Sequence, residues 1–185
     1  MLIFAVGSLA QTLTAQATSG LITYADPING VTLQYPDSWN KEISNTQNFS
    51  FVLNSPNNSG KIFGTILRPI PADQLGLAEN MTLDVLVKSI ALPVGALTLP
   101  PNELATLGVN ILELNSEGYF LSGHPAGRIV MALASPDGTS KMMALATTVN
   151  DGLYAISYMA DATTYNQHLA DAETIIDSFK IISGQ

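Results

Sequence analysis

Two strand-like runs, residues 141–149 and 153–159, flank the tripeptide Asn150-Asp151-Gly152. Asn, Asp and Gly tolerate the positive backbone angles of a tight hairpin turn, so this is the strongest short-range hairpin signal in the chain. Before it lies 127–134, a long apolar strand, and then the turn sequence Ser135-Pro136-Asp137-Gly138. Three strands joined this closely form a β-meander. The N-terminal part repeats the theme. Residues 21–25 and 31–35 read as strands, with Asn29-Gly30 as the turn between them. Val31, Leu33 and Tyr35 alternate with Thr32 and Gln34, the period-two pattern of a half-buried strand. Pro36-Asp37 breaks that strand, and Trp39, the single tryptophan, follows.

Further strands are predicted at 41–43, 48–53 and 61–68, the last two as a hairpin across the Ser, Pro, Asn and Gly turn at 55–60. Thr82 suits a helix N-cap, and Leu83, Leu86, Val87 and Ile90 recur at helical spacing up to Pro93. Residues 69–81 and 94–108 are predicted loops, the second with a short helical turn at 102–107. Long connections are where variable function concentrates. Strands at 110–116 and 119–121 follow, with Gly118 a candidate bulge, and 123–126 is an irregular entry to the next strand. From Ala162 onward, Tyr165, Leu169, Ala172, Ile176 and Phe179 form one face of an amphipathic helix, capped by Asp161 or Thr163. Asn166, Asp171, Glu173 and Asp177 lie opposite. The predicted fold class is α+β, an antiparallel sheet with flanking helices.

Composition narrows the function. Apolar residues make up 46% and charged residues 12% of 185, so the chain can build a core and is not a disordered polyelectrolyte. The net charge is −8 and basic clusters are absent, which argues against nucleic acid and against anionic lipid surfaces. Without cysteine there is no disulfide, no thiol chemistry and no thiolate metal site. Residues 2–10 form a short apolar run, followed by small polar residues and Ala15-Gln16-Ala17. That is the shape of a secretory signal over 1–17, too short to span a bilayer, although no Lys or Arg precedes Lys41. The expected mature part, 18–185, is one extracytoplasmic domain, secreted or at the cell surface, and a monomer. Asn48, Asn57 and Asn80 each open an Asn-x-Ser/Thr triplet and are glycosylation candidates if the chain is exported.

Catalytic signals are weak. His124, between Gly123 and Pro125, is the one candidate metal ligand or general base, and the other histidine is His168. A metal site needs three or four converging donors, and no such spacing occurs. Neither a nucleophile elbow nor a phosphate loop is present. Asp26, Asp37 and Asp151 read as turn formers. Tyr35, Trp39, Phe49 and Phe51 read as core aromatics, and Met131, Met142, Met143 and Met159 as core filler.

Several segments together resemble PsbP-like domains. They are Tyr24-Ala25-Asp26-Pro27-Ile28-Asn29-Gly30-Val31 with Tyr35-Pro36-Asp37-Ser38-Trp39, then Leu121-Ser122-Gly123-His124-Pro125-Ala126, then the hairpin 147–154, and finally Ile176 with Ser178-Phe179. The resemblance covers about 21–182. It implies an α/β/α sandwich and a non-enzymatic accessory role. Photosynthetic members are extrinsic photosystem II subunits, others are microbial surface proteins, and a distant structural relative is a Ran-binding import factor. The basic docking surface of the photosynthetic members is missing here. The resulting expectation is a non-catalytic exported binding or accessory domain, without cofactor, that associates with an envelope or membrane-complex protein through 69–81, 94–108 or a sheet edge. The rival is an enzyme or ligand carrier with a pocket under 94–108 near His124. A third reading is a cytosolic import-factor-like binder.

Overall fold

In the computed structural model, residues 20–42, 50–67, 82–92, 96, 99–150 and 152–182 are described. The expected signal segment, Asn48, Phe49, Asn80 and the loop 69–81 lie outside them.

Among the described residues, seven strands form the central sheet. They are β3 (Asn40–Glu42), β4 (Phe51–Asn54), β5 (Gly60–Leu67), β6 (Val109–Asn115), β9 (Gly127–Ser135), β10 (Gly138–Val149) and β11 (Gly152–Asp161). Their spatial order is β3-β4-β5-β11-β10-β9-β6, and every pairing is antiparallel. Two meanders thus meet at the β5–β11 seam. The chain reaches the far edge through α1 (Leu83–Ala91) and α2 (Pro101–Thr106). A smaller sheet joins β1 (Leu21–Asp26), β2 (Val31–Pro36) and β12 (Lys180–Ile181) in that order, and β7 (Phe120–Leu121) with β8 (His124–Pro125) makes a two-stranded hairpin.

The central strands bury both faces, which is why they read as almost continuous apolar runs. Met142, Ala144 and Ala146 with Leu153 and Ala155 face Leu86, Val87 and Leu104 of the first two helices. The small residues on that face let α1 lie close. At Gly127 even a methyl group would collide with the Leu83 carbonyl. The alternate residues, Met143 and Leu145 with Tyr154, Ile156 and Tyr158, face the other way. They meet Ala172, Ile175 and Ile176 of α3 (Leu169–Asp177), together with Val31, Leu33, Trp39 and Phe179. The molecule is therefore α+β with helices on both faces, and the small sheet shares the second outer layer with α3.

Most elements agree with the sequence reading. Thr82 caps α1, its Oγ1 accepting the Val85 N–H at 3.4 Å. The predicted core aromatics Tyr35, Trp39 and Phe51 are buried, as are Met131, Met142 and Met143. Four details differ. Only Gly30 of the first turn has positive φ, because the loop is four residues long and the Asp26 carboxylate organises it by accepting the N–H groups of Ile28 and Asn29. The bulge lies between Ile111 and Glu113, and Gly118 sits in the following turn. The last helix starts at Leu169, not near Ala162. A 3-10 turn, Tyr165–Gln167, precedes it, held where the Tyr158 hydroxyl donates to the Tyr165 carbonyl at 2.9 Å. Finally, Phe179 lies beyond the helix, where Lys180–Ile181 pair with β2. Ser178 guides that exit: its hydroxyl accepts the Gln34 N–H at 2.8 Å and lies 3.0 Å from the Gln34 carbonyl.

Candidate functional site

Among the described residues, the sheet face beneath α3 is not fully covered near the β9–β6 edge. A cleft of about 530 Å³ opens there, with Met143, Leu145 and Ile176 as its apolar floor. Gly118, Tyr119, Phe120 and Arg128 form one wall, and Glu173 and Asp177 the other.

The bulge in β6 determines what the first wall carries. Before it, Val109 and Ile111 pack with the α1 side of the sheet. One extra residue, Leu112, reverses the alternation, so Glu113 pairs with Val130 and turns toward Arg128. The two side chains form an ion pair. The Tyr119 hydroxyl donates to Glu113 Oε1 at 2.9 Å. Arg128 Nη1 donates to the Tyr119 oxygen at 3.4 Å, Nη2 lies 3.4 Å from Met143 Sδ, and the guanidinium carbon is 5.1 Å from the Tyr119 ring centre. The Arg128 side chain is 17% exposed and that of Glu113 38%. Burial opposes the charge on Arg128, but the Glu113 carboxylate outweighs it and raises the guanidinium above its ordinary value. In return, the hydrogen bond from Arg128 holds the Glu113 carboxyl below its usual range against desolvation. Nearby, the Lys141 ammonium lies 4.5 Å over the Tyr165 ring, whose hydroxyl burial pushes up to about 12.

The sequence reading did not single out Arg128, Glu113 or Tyr119. Its one available signal was Arg128 itself, a lone charge in the apolar run 127–134.

His124 stands elsewhere. It pairs with Leu121 across a hairpin whose turn residues, Ser122 and Gly123, both have positive φ. The Ser122 hydroxyl accepts the Ile181 N–H at 2.8 Å, tying this hairpin to β12. His124 does not line the cleft, nor do the described residues of 94–108, of which Ala96 and Leu104 pack against the opposite face of the sheet. His168 meets Trp39 edge-on at 6.1 Å, and its Nδ1 is 4.0 Å from the Asp171 carboxylate. Among the described residues, no three His, Asp or Glu side chains converge in a group able to hold a metal ion. Asn57, a glycosylation candidate, is exposed in a short turn with φ of 62°. No described helix is long and apolar enough to cross a membrane.

Layers, strand order and cleft define a three-layer antiparallel α+β domain. Its fold is PsbP-like. The solution structure of cyanobacterial PsbP from Synechocystis sp. PCC 6803 superposes with a TM-score of 0.58 over 95% of this chain and 98% of that one, at 16% identity. A Bacteroides thetaiotaomicron protein gives 0.50 over 86% of this chain and 47% of its own length, at 10% identity. The Saccharomyces cerevisiae Ran-binding protein Mog1p gives 0.49 over 89% and 97%, also at 10% identity. No protein-family model and no curated protein sequence matches the chain.

Proposed function

We propose that this chain is a non-catalytic binding or accessory domain, exported or displayed at the cell surface, that associates with another envelope or membrane-complex protein. The observation that carries this reading is how the polar groups of the cleft are disposed. Arg128, Glu113 and Tyr119 bond to one another over an apolar floor. That arrangement stiffens a surface. Its one carboxylate, Glu113, touches the Tyr119 hydroxyl, but the ion pair with Arg128 lowers that carboxyl's proton affinity and makes it a poor general base. The PsbP-like fold, shared with cyanobacterial PsbP, is compatible with the same reading. Export rests on the signal-like residues 1–17, with the Asn-x-Ser/Thr triplets and the acidic balance in support.

Affinity purification of the full chain from its native cells, with sequencing of the native N-terminus, tests this. A mature start near Thr18 and one stoichiometric envelope partner are expected. An intact Met1 would remove export, and recovery of the protein alone at native abundance would remove the accessory role.

A further inference from the structure

The second wall of the cleft is built against local electrostatic preference. Glu173 and Asp177 stand one helical turn apart on α3, a like-charge pair that weakens a helix. Asp177 is also the last residue of the helix, where exposed carbonyls already concentrate negative charge, and the last turn holds no basic side chain. Neither carboxylate forms an ion pair among the described residues. Two cations close to the cleft are engaged elsewhere, Arg128 with Glu113 and Lys141 over Tyr165, and Lys180, three residues beyond Asp177, forms an ion pair with neither carboxylate. Across the opening stands Phe120, 61% exposed although it borders an apolar floor. A large exposed aromatic and two uncompensated carboxylates on facing walls of one cavity lower the stability of the free molecule. Local rules are characteristically broken in this way where a surface awaits a partner.

We infer that the cleft receives an extended segment of a partner protein in which a Lys or Arg adjoins an apolar residue. The cationic head sits between Glu173 and Asp177. The apolar neighbour lies against Phe120, over Met143, Leu145 and Ile176. A methylene stem suits such a floor, because long basic side chains bury their stems and keep the charge outside. Charge complementarity favours this occupant over an acidic one, since the chain carries −8 overall. The fixed Arg128–Glu113 pair keeps the first wall neutral, so the negative field comes from α3.

The inference rests on the binding-domain reading and is tested apart from it. Isotope-labelled full-length protein is titrated, with NMR detection, with acetyl-GLKLKG-amide and with its acidic counterpart acetyl-GLELEG-amide. The basic peptide is expected to move the amide signals of Phe120, Glu173, Ile176 and Asp177, more weakly as salt rises. The combined Glu173→Gln and Asp177→Asn variant should bind it about three- to tenfold less tightly, the scale of two exposed ion pairs. It should also melt at the same or a higher temperature without peptide, which shows that it folds. Phe120→Ala should weaken the basic peptide without altering its salt dependence. Equal binding of the two peptides, unchanged affinity in the double variant, absence of any shift at millimolar peptide, or shifts centred elsewhere overturns the inference. Arginine amide binding as tightly as the hexapeptide also overturns it, in favour of a small amine. If a native partner is captured equally by wild type and double variant, the cleft assignment fails while the binding-domain reading stands.

Discussion

At the residue scale, the arrangement that shapes the cleft is Arg128 held between Glu113 and Tyr119. Arg128→Ala removes the ion pair, the packing of the arginine stem and the contact to Met143. Because Glu113 remains partly open to water, we expect a loss of only about 1 kcal/mol, read as a lower urea midpoint. The pH dependence has a definite sign. Glu113 has a folded pKa below its unfolded one. Its stabilising effect is complete above the unfolded value of about 4.3 and fades as pH falls through the folded value. Glu113→Gln should therefore flatten part of the acid limb of a stability profile below about pH 4.5 and change little near neutrality. An acid limb identical to wild type would show that the pairing does not hold in solution. This cluster was poorly legible in the sequence. Glu113, Tyr119 and Arg128 come from separate segments, and only the β6–β9 register and a one-residue bulge bring them together. Nothing in the local pattern around Leu112 marks that bulge, and Gly118 offered a more obvious place for it.

At the element scale, turn chemistry and apolar periodicity revealed most strands and α1, because those signals are local. The start of α3 was not legible for a physical reason. Tyr165 keeps helical spacing with Leu169, yet its carbonyl accepts a hydrogen bond from Tyr158, and that tertiary contact shapes the turn before the helix. Strand β12 was hidden too, since a two-residue strand exists only through its pairing with β2. Two glycines test the account of how elements approach. Gly127→Ala places a methyl group against the Leu83 carbonyl and 3.2 Å from Val87 Cβ, so α1 must shift. We expect a loss of about 1–3 kcal/mol. At Gly118 no described residue lies within 4 Å of the added methyl, and the cost of Gly118→Ala is that of its φ of +78°, about 1 kcal/mol. Thermal melts of the two variants should rank them in that order, and the reverse order would contradict the close docking of α1 on β9.

At the scale of the whole molecule, one sheet separates two apolar clusters, and Trp39, Phe51 and Phe179 anchor the one beneath α3. Trp39 is 1% exposed and reports on that layer alone, being the single tryptophan. Its emission should be blue-shifted in the native state and move red in one step that coincides with the loss of far-ultraviolet circular dichroism. Phe179→Ala, which empties a fully buried site between α3 and β12, should cost about 3–5 kcal/mol. A tryptophan transition well before the loss of secondary structure would mean that the outer layer is an independent unit.

The most direct test of the account places a photo-crosslinking amino acid at position 120 in the full chain, in its native cells, with a control at the exposed hairpin residue Ile28. One dominant adduct is expected from position 120, with a basic segment of a single partner at the junction, and it should be lost when Glu173 and Asp177 are made neutral. A partner captured from position 28 and never from position 120 would contradict that expectation.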